Sequence, residues 1–139
     1  MPTPRPFTDA DEDAVVALWE RCGLTRPWND PRRDIARKRT VQPELFLVVD
    51  DGGIVGSAMF GYDGHRGWVN YLAVDPAHRG RGLGRALMAE GERLLTALGC
   101  PKLSLQVRTS NAEAIAFYDA LGYRPDEVVS YGKRLIPDT

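Results

Sequence analysis

The stretch HRGRGLGRALMAEGERLL, His78 to Leu95, constrains this chain more than any other. It follows the apolar run GWVNYLAV, Gly67 to Val74, which reads as a strand, and it leads into a helical periodicity that reaches about Leu98 and is closed by Gly99. A turn rich in glycine and arginine is therefore set between a strand and a helix N-terminus. Unpaired amides and the positive end of the helix dipole meet at such a turn, which suggests a phosphate site; the alternative is a glycine-rich turn with solvated arginines. Spacing removes two anion-binding patterns. GxGxxG fails because its third position falls on Arg85 or Leu87, and GxxxxGK[ST] fails because Gly-Lys-Ser/Thr does not occur. What remains is Arg79-x-x-Gly82-x-Gly84.

The rest of the chain supplies a sheet for that helix to pack on. A first helix is expected after Thr8, with Thr8 and Asp11 as an approximate capping box and Val15, Leu18, Trp19 and Cys22 as its apolar stripe. Gly23 stops it, TRPWNDP follows as a loop, and Asp30 caps a second helix, about Pro31 to Val41, with proline at its first position. ELFLVVD and IVGSAMFGY read as strands joined by DDGG, and Asp63–Gly64 marks a hairpin into Gly67. Beyond the long helix come a strand KLSLQV, a helix capped by Ser110 or Asn111 and ending at Gly122, and a last strand VVSYGKRL. One sheet with helices on both sides is the economical solution, with a ligand cleft at the carboxyl end of the strand before the glycine turn.

Composition narrows the functions. A chain of 139 residues is one domain's worth, residues 1–139, and a net charge of −1 gives no global attraction to nucleic acid or an anionic membrane. Cys22 and Cys100 carry no partner motif and read as reduced thiols rather than a disulfide or metal site. No apolar run approaches membrane length and the N-terminus does not read as a signal peptide, so the expected location is cytoplasmic.

Arg79-x-x-Gly82-x-Gly84 after a strand ending in Val-Asp-Pro resembles the acyl-CoA pyrophosphate loop of the GNAT superfamily of N-acetyltransferases. LQVRTSNAEAIAFYDALGY resembles that family's second signature, and LWERCGLTRPWNDP with GYDGHRG resembles its YpeA-type bacterial branch. The resemblance implies an α/β fold, a central mixed and mostly antiparallel sheet with helices on both faces and splayed parallel strands in the middle. It also implies acetyl-CoA as cosubstrate, with no metal. Amides from Gly80 through Arg81, Gly82, Leu83 and Gly84 to Arg85 would cradle the phosphates, with Arg79, Arg81 and Arg85 adding charge. Leu72, Ala73 and Val74 would pair with the pantetheine arm like an added strand, and a backbone amide there would polarise the thioester. Asn111 matches a cofactor contact and is equally a helix cap. Tyr118 matches the general acid, yet Ala114, Phe117, Tyr118 and Leu121 also form a stripe that would place it in the core.

The implied reaction is direct attack of a primary amine, from a small molecule or peptide, on the acetyl thioester. Gln106 stands where similar protein N-terminal acetyltransferases often carry Glu, and an amide is no base, which argues against that acceptor class. Asp63 and His65 lie near a hairpin tip, far along the strand from Leu72. Trp28 and Asn29 in the loop, Asn70 in the strand and Gln106 are expected to wall the acceptor, although Trp28 could equally pin the loop to the core. From Arg26 to Arg39 there are six basic and two acidic residues, either a solvated face or a patch favouring an anionic acceptor or the CoA phosphates. The rival reading is a non-catalytic acyl-CoA-binding or sensing module. A homodimer is left open.

Overall fold

The computed structural model describes residues 2–138; Met1 and Thr139, the ends of the expected 1–139 domain, lie outside the described residues. Five strands, β1 (Arg5–Pro6), β2 (Phe46–Asp50), β3 (Ile54–Tyr62), β4 (Gly67–Val74) and β5 (Leu103–Ser104), form one sheet in the order β1-β2-β3-β4-β5. The first four pair antiparallel and β5 runs parallel to β4. The four helices are α1 (Glu12–Arg21), α2 (Pro31–Lys38), α3 (Leu83–Ala97) and α4 (Ala112–Ala120).

Alternation along β2 divides the core. Phe46 and Val48 join Val15, Leu18 and Trp19 of α1 and Ile35 of α2 on one face, while Leu47 and Val49 join Leu87, Met88 and Leu95 of α3 on the other. The α4 side chains Phe117 and Tyr118 pack at the margin of the second cluster. Gly91 lets α3 approach β3, since a Cβ there would run into the Phe60 ring.

The local signals operate largely as read. Asp30 Oδ1 accepts from the backbone N–H of Arg32 (2.9 Å) and Arg33 (3.3 Å), with Pro31 at the first position of α2. Asp11 Oδ2 accepts from Thr8 N at 2.8 Å, although a 3-10 turn over Asp9–Asp11 precedes α1 itself. The second helix stops at Lys38, short of Val41, because Thr40 and Val41 close into turns on Arg37 and Lys38.

Two expectations are corrected. KLSLQV pairs only at Leu103 and Ser104, against Gly67 and Trp68, after which β4 continues without a neighbour on that side. VVSYGKRL forms no strand among the described residues. Val129 and Tyr131 are 80% and 92% exposed, and a strand exists only against a partner edge, which so short a β5 does not supply.

The feature that positions the site is a β-bulge in β4. Ser57 pairs with Ala73 but Met59 pairs with Asn70, so Tyr71 and Leu72 together oppose Ala58. Tyr71 takes the left-handed conformation, φ 53°. The extra residue reverses the alternation: Val69 faces α3, yet Tyr71 and Ala73 face α1.

Candidate active site

The bulge is held by buried polar contacts. Ser57, fully buried, accepts from Trp19 Nε1 at 2.9 Å and donates to the Tyr71 carbonyl at 2.9 Å. The Tyr71 hydroxyl donates to Asp34 Oδ2 at 2.6 Å, and burial followed by the Asp34 carboxylate pushes its pKa up. On either side of this stretch lies a pocket.

The first, about 610 Å³, opens between the end of β4, the glycine turn and α4. Leu72, Ala73 and Val74 line it from the strand, and Arg79, Gly80 and Gly82 from the turn. Leu83, Gly84 and Arg85 line it from the start of α3, with Asn111 and Tyr118 opposite. Of the residues expected at the cofactor, Arg81 alone is not on this wall. Gly80 and Gly82 have φ of 81° and 80°, the left-handed region in which glycine carries no Cβ penalty. Gly84 acts differently. A Cβ there would lie 3.1 Å from Phe117 Cζ, so its bareness seats α4 rather than a ligand. Arg79 folds back, its Nε donating to the Val74 carbonyl at 3.2 Å, where Cys22 Sγ also donates at 3.3 Å.

Free polar groups stand along this pocket. His78 lines it, and its Nδ1 is buried with no hydrogen-bond partner, 4.0 Å from Asp75 Oδ2. Asp75 N donates to the Val55 carbonyl, so by strand alternation the backbone groups of Leu72 and Val74 point to the edge that β5 leaves open. Asn111 Oδ1 accepts from Ala114 N at 3.1 Å; it caps α4 and lines the pocket at once. Burial pushes the Tyr118 pKa up to about 12, and no hydrogen bond engages its hydroxyl among the described residues. It is both edge-to-face with Phe117 and on the pocket wall.

The second pocket, about 560 Å³, lies under α2 against Met59, Asn70 and Tyr71. Asn29 and Asn70 line it, whereas Trp28 and Gln106 line neither pocket. Trp28 is 49% exposed on its loop, neither a wall nor a pin, because the short Arg26–Asn29 bridge turns it outward. Gln106 is exposed and its amide is engaged by Ser130 Oγ. Sequence reasoning missed Asp34, Lys38 and Arg108, which line this pocket. The i, i+4 spacing of Asp34 and Lys38 on one helix was the available signal. Leu24 borders both pockets.

Among the described residues, no group of His, Cys, Asp and Glu is arranged to hold a metal, and no helix is long and apolar enough to cross a membrane. Cys22 and Cys100 are free and half-buried.

Residues 13–123 match the profile of the acetyltransferase (GNAT) family. The chain is 52% identical over 135 residues to an acetyltransferase of Pectobacterium atrosepticum, covering 96% of each chain. Among solved structures it resembles Ard1 of Thermoplasma volcanium (31% identity, TM-score 0.75, 86% of this chain and 80% of that one). It also resembles the ribosomal-protein-S18-alanine N-acetyltransferase of Escherichia coli (30% identity, TM-score 0.73, 88% and 77%).

Proposed function

This chain belongs to the acetyltransferase (GNAT) family, whose acyl donor is acetyl-CoA, and from that premise we propose that it acetylates a primary amine of a small molecule or peptide by direct transfer. One observation carries the reading. Two pockets adjoin the same bulged strand, Tyr71 bordering one, Leu72 the other and Leu24 both. A donor and an acceptor held there meet without a covalent enzyme intermediate, and shared positioning supplies much of the rate. The presence of an acceptor pocket favours catalysis over simple acyl-CoA capture.

The donor brings an activated acetyl thioester. The glycine turn from Gly80 to Arg85 holds its phosphates, with amides at the α3 N-terminus and the Arg79, Arg81 and Arg85 charges around them. Leu72 and Val74 pair with the extended arm along the open edge of β4, and the Leu72 amide is placed to polarise the carbonyl. Tyr118, with its pKa raised by burial, keeps its proton at neutral pH and holds it for the departing sulfur. Asp34, the one carboxylate on the acceptor wall among the described residues, orients the incoming amine, whose proton leaves through water.

The experiment is a screen of amines, including peptides, amino acids and aminoglycosides, read by release of free CoA. It is paired with thermal unfolding in acetyl-CoA. A ligand that binds only the folded state raises the midpoint. Acetyl-CoA should raise it more than dephospho-CoA or NAD, and at least one amine should be turned over. No shift at millimolar acetyl-CoA would overturn the assignment of the pocket.

A further inference from the structure

The acceptor pocket carries a cation with no carboxylate to pair with among the described residues. Lys38, at the last turn of α2, is only 9% exposed and lines the pocket. Its Nζ sits over β3, 3.5 Å from where a Cβ of Gly61 would be. No hydrogen bond or ion pair reaches that ammonium among the described residues, and burial lowers its pKa against the weaker pull of Glu44. The stem of Lys38 is buried while its ammonium opens into the pocket, so the charge is presented to whatever occupies that space.

The neighbouring charges do not neutralise it. Asp34 Oδ1 is 3.1 Å from Arg37 Nη1, and Asp138 Oδ1 is 2.6 Å from Arg37 Nη2. Asp34 spends its other oxygen on the Tyr71 hydroxyl and Asp138 spends its own on Asp30 N. Both acids are thus engaged by Arg37 and by neutral donors. Arg26 turns its guanidinium to the Gly23 and Thr25 carbonyls, 2.7 and 2.9 Å away. Arg108 stands exposed on the pocket rim, and no carboxylate pairs with it among the described residues. The pocket therefore offers Lys38 and Arg108 as cations that no carboxylate or carbonyl engages among the described residues, with Asp34 on the same wall.

We propose that this pocket selects an amine bearing an anionic group, a carboxylate or phosphate, that docks on Lys38 and Arg108 while its amine faces Asp34 and Tyr71. This rests on the acceptor role assigned above to the same pocket. An anion that pairs with these two cations gains what an uncharged analogue forgoes, so discrimination is expected in KM and kcat/KM. Polyamines, which would bring more positive charge, are excluded by the same field.

The test uses matched pairs: amino acids and dipeptides against their C-terminal amides, and O-phosphoserine against serine, with spermidine as the cationic control. CoA release gives kcat and KM, and calorimetric titration of each probe, with and without CoA, gives binding. Acids are expected to exceed their amides by about tenfold or more in kcat/KM, and the carboxylate and phosphate pairs show which anion fits better. Lys38→Met keeps the aliphatic stem and should fold at least as well. It should bring acid and amide within about threefold of each other while leaving acetyl-CoA affinity unchanged. Arg108→Gln, on the exposed rim, should reduce the preference in part and is the second variant if Lys38→Met fails to fold. Amides or spermidine equal to or better than the acids, or an acid preference intact in both variants, overturns the inference. So does an absence of acid binding in a protein that still binds acetyl-CoA. If acetyl-CoA itself does not bind, the family-based reading of the pocket fails, and the titration of acids without cofactor still decides this one.

Discussion

The Trp19 indole lies face to face on the Tyr71 ring, with 3.8 Å between centroids and 10° between planes. Trp19 belongs to α1 and Tyr71 to the bulge in β4, so a core helix clamps the one left-handed residue of that strand. Ser57, hydrogen-bonded to both, closes the triangle. Ser57→Ala leaves an indole N–H and a carbonyl buried without partners, a loss of about 1–3 kcal/mol. Because the bulge faces both pockets, the variant should also lower kcat at temperatures where it remains folded. Chemical denaturation alongside steady-state kinetics checks this; unchanged stability would show that the contacts do not hold the bulge.

Tyr118→Phe removes one hydroxyl from the cofactor pocket and keeps the ring against Phe117 and Tyr123. If that hydroxyl protonates the departing sulfur, kcat falls about tenfold or more. Acetyl-CoA affinity and the unfolding midpoint should hardly move, since the hydroxyl makes no internal hydrogen bond. Turnover within a few-fold of the parent, with chemistry limiting the rate, returns Tyr118 to packing alone.

The two conspicuous glycines of the turn should separate. Gly82→Val forces a branched residue into φ 80° at the start of α3, where the backbone must curl, and acetyl-CoA binding should be lost. Gly84→Ala instead meets the Phe117 ring at 3.1 Å and should loosen α4 first, lowering the melting temperature. Titration of acetyl-CoA into both variants, with melting curves of each, distinguishes the outcomes. Gly82→Val binding like the parent places the phosphate cradle elsewhere.

Acid stability should depend on Asp11. The Arg5 guanidinium, at 2.8 Å, and the Thr8 N–H hold its carboxyl down to about 2. A carboxyl depressed in the folded state adds stability that is fully present above its unfolded value near 4 and is lost as pH falls towards 2. Asp11→Asn should cost about 1–2 kcal/mol at pH 7 and flatten the loss of stability between about pH 4 and 2. Urea midpoints across that range measure it, and parallel curves for parent and variant would show that Asp11 does not set the acid limb.

The amine's own ionisation should govern the pH–rate profile. Tyr118 holds its proton until about pH 12 and Asp34 only orients the acceptor, so kcat/KM should rise in step with the unprotonated fraction of each amine. Two amines of different basicity should give curves displaced by the difference in their pKa values. A shared inflection independent of the amine would reveal an enzymic base.

The sequence by itself determined the features that depend on near neighbours in the chain. The strand–glycine turn–helix unit, the Asp30 and Asn111 caps and the apolar stripe of α1 follow from hydrogen bonds and side-chain spacing within a few residues. That was enough to assemble most of the wall of the pocket at the glycine turn, because strand end, turn and helix start are contiguous. The pocket under α2 is built from contacts across the fold, and only tertiary structure decided it. The β4 bulge exists because β3 imposes its register, and a one-residue slip in pairing reverses which side chains face α1. Lys38 reads as solvated in a basic helix until α2 is laid on the sheet and buries it over Gly61. Trp28 reads as a wall of the cleft or a pin for its loop, and the fold leaves it half-exposed; VVSYGKRL reads as a strand until the sheet gives it no edge to join. Periodicity records which residues prefer burial or pairing; which surface meets them is settled only when distant elements come together.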